Sequence, residues 1–223
     1  MRRFSFVLLS ALFLAFTCKS SAQTFDIFEN RFSLHNVIGF PPSDYGWIPV
    51  EGDDLADDYQ YRVSFGFKMG TQWSFSTWEH FGIGLKINWF EVSYVQRKYD
   101  IQGDQLKRFT LDITFGEFGP ICTFAINKML GFDTYYNLRP TFLLTRASQE
   151  YYYYDDGYNY YDQEIGLGFG HLFGFAFRFH VLSVGLEYVL GNLPNLDYID
   201  QYGYFGGPRL SDSSFRLIVG VVL

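Results

Sequence analysis

The segment of residues 151–162, YYYYDDGYNYYD, carries side chains well suited to binding another molecule. Tyrosine rings stack on sugars and make rigid protein contacts, and the neighbouring carboxylates favour hydroxyl-rich glycans over nucleic acid. Alternatively, the rings belong to an interfacial belt at a membrane surface, with Asp155-Asp156-Gly157 as the tip of a hairpin. The candidate ligand-binding residues are Tyr151, Tyr152, Tyr153, Tyr154, Asp155, Asp156, Tyr158, Tyr160 and Tyr161.

Acidic residues in two segments could supply the oxygen ligands that Ca²⁺ prefers. In the sequence Asp155-Asp156-Gly157-Tyr158-Asn159, however, the glycine comes too early for a calcium loop. We therefore interpret both segments as solvated acidic loops and predict neither a metal site nor a cofactor. The residues concerned are Asp44, Glu51, Asp53, Asp54, Asp57 and Asp58 in one segment, and Asp155, Asp156, Asp162 and Glu164 in the other.

Catalysis has little support in the sequence. The histidines are His35, His80, His171 and His180, and none has the spacing of a metal site or a catalytic triad. His180 and Ser183 are similar to the histidine and serine of outer-membrane lipid A deacylases, but the spacing differs. We predict that the protein is not an enzyme, with lipid modification as the catalytic alternative.

The elements that must position these residues are β-strands. Apolar and polar residues alternate with a period of two, which is typical of strands with two unlike faces. Long connections alternate with short ones, as in bacterial outer-membrane barrels. The sequence therefore predicts an all-β fold, an eight-stranded antiparallel up-and-down transmembrane β-barrel. The predicted strands run over 32–40, 61–75, 81–89, 109–115, 136–144, 165–177, 184–190 and 215–223.

Three irregularities interrupt this pattern. The alternation changes phase after Trp89 and again after Phe115, which predicts a β-bulge at each place. Pro140 lies inside the fifth strand, where a closed barrel offers no free edge, and this suggests a bulge or a shifted register. His171 falls in the lipid-facing phase of the sixth strand.

The sixth strand indicates which face lies inside the barrel. One of its faces is Gly166, Gly168, Gly170, Leu172, Gly174 and Ala176, while the other carries bulky Phe and Leu. Consecutive glycines fit a narrow lumen better than a solvated surface, which favours a membrane barrel over a lipocalin-like soluble barrel.

Several charged residues then fall on the inward face. Because buried charges need partners, one interpretation is a salt-bridged plug that fills the lumen. The other uses the excess of positive charge as an anion path or partner site. The predicted lumen charge cluster is Arg62, Lys68, Lys86, Arg108, Asp112, Arg139, Glu187 and Arg216, and Arg178 shares the inward phase.

The amino-terminal residues predict export from the cytoplasm. Arg2 and Arg3 precede an apolar run, and small residues end at Ala22, so we expect a cleaved signal peptide over 1–22 and the barrel over 23–223. A lipoprotein signal on Cys18 is the alternative. Cleavage leaves Cys122 without a disulfide partner and moves the formal charge from −7 to about −10, which disfavours nucleic acid as a partner.

The chain resembles the eight-stranded outer-membrane barrels of the OmpA and OmpX type. More narrowly, it is similar to the outer-membrane barrel domain of Bacteroidetes that includes PorT-like proteins. The residues behind this resemblance are AQ at 22–23, WEHFGIGLKINW at 78–89 and LRPTFLLTRAS at 138–148. It implies location in the outer membrane of a Gram-negative cell. The expected role is contact with lipopolysaccharide, glycan or a surface protein, or service as a subunit of a secretion or surface-assembly machine.

Overall fold

The computed structural model describes residues 27–28, 30–41, 63–101, 104–150, 159–194, 196 and 210–223. For 97–101, 104–107, 147–150 and 159–163 the structure describes the backbone alone. The predicted signal peptide, the acidic segment from Asp44 to Asp58, and Arg62 lie outside the described residues. No helix in the described ranges is long and apolar enough to cross a membrane.

Ten strands are present in the described chain. Eight of them close an antiparallel barrel in the order β1-β10-β7-β6-β5-β4-β3-β2, and β8 and β9 form a separate two-stranded ribbon. The predicted fold class is thus confirmed. The strands are β1 (Arg31–Phe40), β2 (Ser64–Thr77), β3 (Phe81–Ile101), β4 (Asp104–Ala125), β5 (Leu130–Glu150), β6 (Asn159–Phe179), β7 (Leu182–Leu190), β8 (Asn192–Leu193), β9 (Leu210–Ser211) and β10 (Ser214–Val222).

The first and last strands of the barrel close it by pairing with each other. Along β1 and β10 the register runs from Ser33 opposite Val222 to Phe40 opposite Phe215. Beyond the ladder, the Phe32 amide donates to the Leu223 carbonyl at 2.9 Å, and the Leu223 amide donates to the Phe32 carbonyl at 2.7 Å. Neither β1 nor β10 is therefore left with an open edge, a requirement for a barrel in lipid.

The barrel wall is much higher on one side than on the other. Strands β3 to β6 have 21 or 22 residues each, whereas β7 and β10 have 9. At about 3.3 Å per residue, the long strands extend roughly 40 Å further along their own direction. The extension lies at the end of the barrel where the long connections are, and we call this the outer end.

Two bulges change which face of a strand points inward. In β3 the buried residues are Lys86 and Asn88 before Trp89, and Glu91 and Ser93 after it, and the register with β2 shifts there. In β4 the register with β5 shifts between Thr114 and Phe118. Both predicted bulges are therefore present.

Gly116 and Pro140 lie at the bulge in β4. Gly116 has a φ of 67°. Pro140 falls where the β4–β5 ladder is interrupted, between the pairs Thr114–Thr141 and Phe118–Leu138. A residue without an N–H is tolerated at such a gap in the ladder.

The polarity of this barrel is the reverse of that of a soluble one. Its outward residues are predominantly large and apolar, such as Phe169 at 65% exposure and Leu186 at 64%, while charged side chains fill the interior. Aromatic rings form a continuous row at the end with short connections. Their centroids are separated by 5.4 Å for Trp78–Phe81, 4.9 Å for Phe81–Phe124, 4.9 Å for Phe124–Phe132 and 5.6 Å for Phe132–Phe175.

Candidate functional site

The charged lumen is the most elaborate polar site in the described chain. Alternation along the strands directs its side chains inward, and they are buried to 6% exposure or less. Arg62 is outside the described residues. The structure places these sequence-predicted residues inside the barrel: Lys68, Lys86, Arg108, Asp112, Arg139, Arg178, Glu187 and Arg216.

Arg139 and Arg216 lie together on three carboxylates. Arg139 donates to Glu91 at 3.0 Å, to Asp112 at 2.7 Å, and to Asp212. Arg216 donates to Glu91 and to Asp112, the latter at 3.0 Å. These five residues come from β3, β4, β5 and β10 and from the segment just before β10, so the cluster ties together opposite walls of the barrel.

A second cluster lies around Glu187. The Lys68 ammonium and the Tyr135 hydroxyl both donate to Glu187 Oε1, the hydroxyl at 2.5 Å. Lys86 Nζ is 3.3 Å from the centroid of the Tyr135 ring, a cation–π contact. Tyr135 thus links two lysines to one carboxylate.

Glu117 is held by amides rather than by a direct ion pair at hydrogen-bond distance. Asn88 and Asn137 donate to its Oε1, the Asn137 bond at 2.6 Å. Arg139 Nε is 3.7 Å from its Oε2. All three partners sit on β3 and β5, the strands that flank β4.

Two further ion pairs extend the polar lumen towards its ends. Arg178 contacts Asp133 at 2.7 and 2.8 Å, and Thr123 donates to the same carboxylate at 2.7 Å. Towards the outer end, Arg108 donates to Glu164 at 2.9 Å.

Charge in this described part of the lumen is nearly balanced. Glu164, the partner of Arg108, adds a carboxylate that is slightly more exposed. The excess of positive charge indicated by the sequence is therefore not found there. Without such an excess, these residues give no electrostatic reason to expect a path for anions. The buried cations are Arg31, Lys68, Lys86, Arg108, Arg139, Arg178 and Arg216, and the buried anions are Glu91, Asp112, Glu117, Asp133, Glu187 and Asp212.

Sequence reasoning missed four of these carboxylates. Glu91 and Glu117 directly follow the bulges, and continuing the alternation across each bulge assigns them to the lipid-facing side. If the reversed alternation is applied to the residues that follow each bulge, both glutamates are assigned to the inward face. Asp133 precedes the predicted start of the fifth strand, and Asp212 falls in a segment predicted to be a loop.

Apolar side chains are buried near both ends of the charged region. At the outer end, Leu193 of β8 and Leu210 of β9 bury themselves against Val95 and Leu143. At the other end Ile27 is buried beside Gly131. An apolar cluster is thus buried at the outer end of the lumen, and one apolar side chain is buried at the other end.

The tyrosine-rich stretch is described only in part. Tyr151 to Tyr158 lie outside the described residues. The backbones of Tyr160 and Tyr161 belong to β6, opposite Gln149 and Ser148 of β5. As predicted, His171 is exposed on the outer wall, and the Tyr136 hydroxyl is 2.7 Å from its Nδ1.

A groove of about 370 Å³ crosses the wall over β1, β5, β6, β7 and β10. Aromatic and aliphatic side chains form most of its lining, among them Phe40, Phe173 and Leu186.

Among the described residues, no three His, Cys, Asp or Glu side chains are grouped to hold a metal ion.

Solved structures resemble this chain distantly. No protein-family model matches it, and no curated protein matches it. The attachment invasion locus protein Ail of Yersinia pestis, in complex with the heparin analogue sucrose octasulfate, is 11% identical with a TM-score of 0.41, over 87% of this chain and 99% of that chain. A second crystal structure of Ail is 13% identical with a TM-score of 0.40, over 87% of this chain and 97% of that chain. The outer membrane channel DcaP of Acinetobacter baumannii is 8% identical with a TM-score of 0.21, over 87% of this chain and 96% of that chain.

Proposed function

We propose that this protein is a non-enzymatic integral outer-membrane barrel that holds acidic, aromatic loops at the cell surface. The reversed polarity of the barrel carries this proposal. Its outer wall presents a broad apolar surface with aromatic rows, and its interior holds paired charges. A surface of this kind is stable in hydrocarbon and would aggregate in water.

The lumen supports a structural role rather than transport. The clusters described above give a carboxylate or an aromatic partner to Lys68, Lys86, Arg108, Arg139, Arg178 and Arg216, and removing one partner of such a pair is costly. Val95, Leu143, Leu193 and Leu210 form an apolar cluster at the outer end. A sealed, internally braced barrel suits a protein whose function resides in its loops.

The loops supply the proposed binding function. Tyr151 to Tyr161, with Asp155 and Asp156 at the predicted hairpin tip, are the residues proposed to contact lipopolysaccharide, a glycan or a surface protein. We expect deletion of 149–163 to abolish such binding while the barrel still folds. Binding of the tagged wild type and of the deletion variant to glycan arrays and whole cells tests this; equal binding would remove this stretch from the proposed site.

Membrane location has a test of its own. A folded barrel resists detergent until it is heated, so boiled and unboiled samples from the outer-membrane fraction should migrate differently on a gel. Recovery in the soluble periplasmic fraction, or co-migration of the two samples, would contradict the proposal. The same preparation tests removal of residues 1–22 by intact mass.

The second candidate is the machine subunit implied by the resemblance to PorT-like proteins. Gentle detergent extraction of the tagged protein, followed by mass spectrometry, separates the two candidates. A stoichiometric protein partner, together with a secretion defect in the deletion strain, would favour the subunit. Recovery of the barrel alone or with lipopolysaccharide would favour a free-standing surface protein.

A further inference from the structure

Asn36 lies at the centre of an apolar area of the outer wall, which we call the β1 patch. Along β1 it is the middle one of five outward residues. Directly opposite it are Phe67 in β2 and Val219 in β10. On all three strands the next outward residue in either direction is apolar, so a carboxamide is surrounded by apolar side chains. The apolar members of the β1 patch are Leu34, Ile38, Phe65, Phe67, Met69, Leu217, Val219 and Val221.

The side-chain amide of Asn36 has no hydrogen-bond partner within the described part of the chain. Other polar groups on the outer wall are paired locally. The Tyr136 hydroxyl is 2.7 Å from His171 Nδ1. Trp89 Nε1 donates to Thr71 Oγ1 at 3.1 Å. Because hydrocarbon offers no water in place of a missing hydrogen bond, an unpaired amide there costs free energy. Asn36 therefore favours a polar group that approaches from outside the barrel.

The apolar belt of the barrel is short at the β1 patch. Outward, mainly apolar residues extend from Phe32 to Phe40 on β1 and from Ile165 to Phe179 on β6. With about 3.3 Å per residue and a strand tilt of roughly 40°, the belt is about 20 Å high on β1 and about 35 Å high on β6. Since the hydrocarbon core of a bilayer is about 30 Å thick, lipid beside β1 has to thin. A membrane protein with too short an apolar surface is also accommodated by oligomerising.

We propose that the β1 patch is the contact surface between two copies of this chain in the membrane. Two copies related by a two-fold axis along the membrane normal bring their Asn36 residues to the same depth. Each amide then donates to the side-chain oxygen of the other, since a carboxamide carries both a donor and an acceptor. The contact also replaces lipid where the belt is short. This inference rests on the proposed function, because it requires a barrel in a membrane.

Sedimentation equilibrium of the purified protein in mild detergent, at several ratios of protein to detergent, measures the association. The wild type should form a dimer in equilibrium with the monomer. Asn36→Leu should weaken the dimer roughly tenfold, because two hydrogen bonds in an apolar medium are lost. Asn36→Gln keeps the amide and should retain most of the association. Thr134→Val, which removes a polar group from the outward face of β5, is the matched control and should associate like the wild type.

Oxidative cross-linking in outer-membrane vesicles identifies the surface and the bound protein. In a Cys122→Ser background, Val219→Cys leaves Asn36 in place and should give a disulfide-linked homodimer. Leu138→Cys, on the outward face of β5 and four strands away from β1, should give only the background of random collision. A cross-link from Val219→Cys to a different protein, or equal cross-linking at the two positions, would overturn the inference.

The wild-type measurement needs no substitution, and heat modifiability on a gel shows whether each variant is folded. A heat-modifiable wild type that stays monomeric would overturn the inference and leave the proposed function intact. The same holds if Asn36→Leu dimerises as tightly as the wild type. If the wild type is not an outer-membrane barrel, the proposed function and the inference fail together.

Discussion

Arg139 is the single residue on which the most buried carboxylates depend. It is fully buried and contacts Glu91, Asp112 and Asp212. We expect Arg139→Met to destabilise the barrel by about 3–5 kcal/mol, because it leaves buried carboxylates without their main partner. Urea unfolding in lipid vesicles, followed by tryptophan fluorescence, measures this. Lys128→Met is the control, and equal midpoints for the two variants would show that the cluster does not stabilise the fold.

Lys68 and Glu187 make a simpler pair for the same question. We expect Lys68→Met alone to be strongly destabilising, and addition of Glu187→Gln to recover a large part of the loss, since the buried carboxylate is then neutral. A double-mutant cycle on the free energy of unfolding gives the coupling. Strict additivity of the two changes would mean that the pair contributes no interaction energy.

Among the elements of the barrel, the bulge in β4 is held by backbone conformation. Gly116 has a positive φ, and nothing lies within 4 Å of an added Cβ. Gly116→Ala should therefore cost about 1–2 kcal/mol through conformation and not through a clash. Gly116→Asn should cost less, because asparagine tolerates this region. Unfolding midpoints of the two variants check the order; equal stability of Gly116→Ala and the wild type would contradict it.

For the barrel as a whole, the paired lumen predicts closure to ions. Inserted into a planar lipid bilayer, the wild type should show no steady ohmic conductance, because the charged clusters and the apolar cluster at the outer end fill the bore. The 149–163 deletion variant should show no conductance either, since the residues of this cluster come from other parts of the chain. Reproducible unitary steps in the wild type would mean that the lumen opens.

Much of this molecule follows from the sequence alone. The period of two identified the eight barrel strands and their faces, because each strand has a polar inner face and an apolar outer face. It did not predict how far β3 to β6 extend, nor the ribbon of β8 and β9. It also located both bulges, since an extra residue inverts the alternation behind it. The inward cations were identifiable for the same reason.

Tertiary structure decided how the charges are paired. Lys68 and Glu187 are 119 residues apart in the chain, and Arg216 and Glu91 are 125 apart. Such partners meet only after the barrel has closed and its register is set. The bulges decide that Glu91 and Glu117 face inward, and the course of the chain into β10 places Asp212 beside Arg139. Alternation therefore specified which side of the wall a residue occupies, while closure and register specified what it touches there.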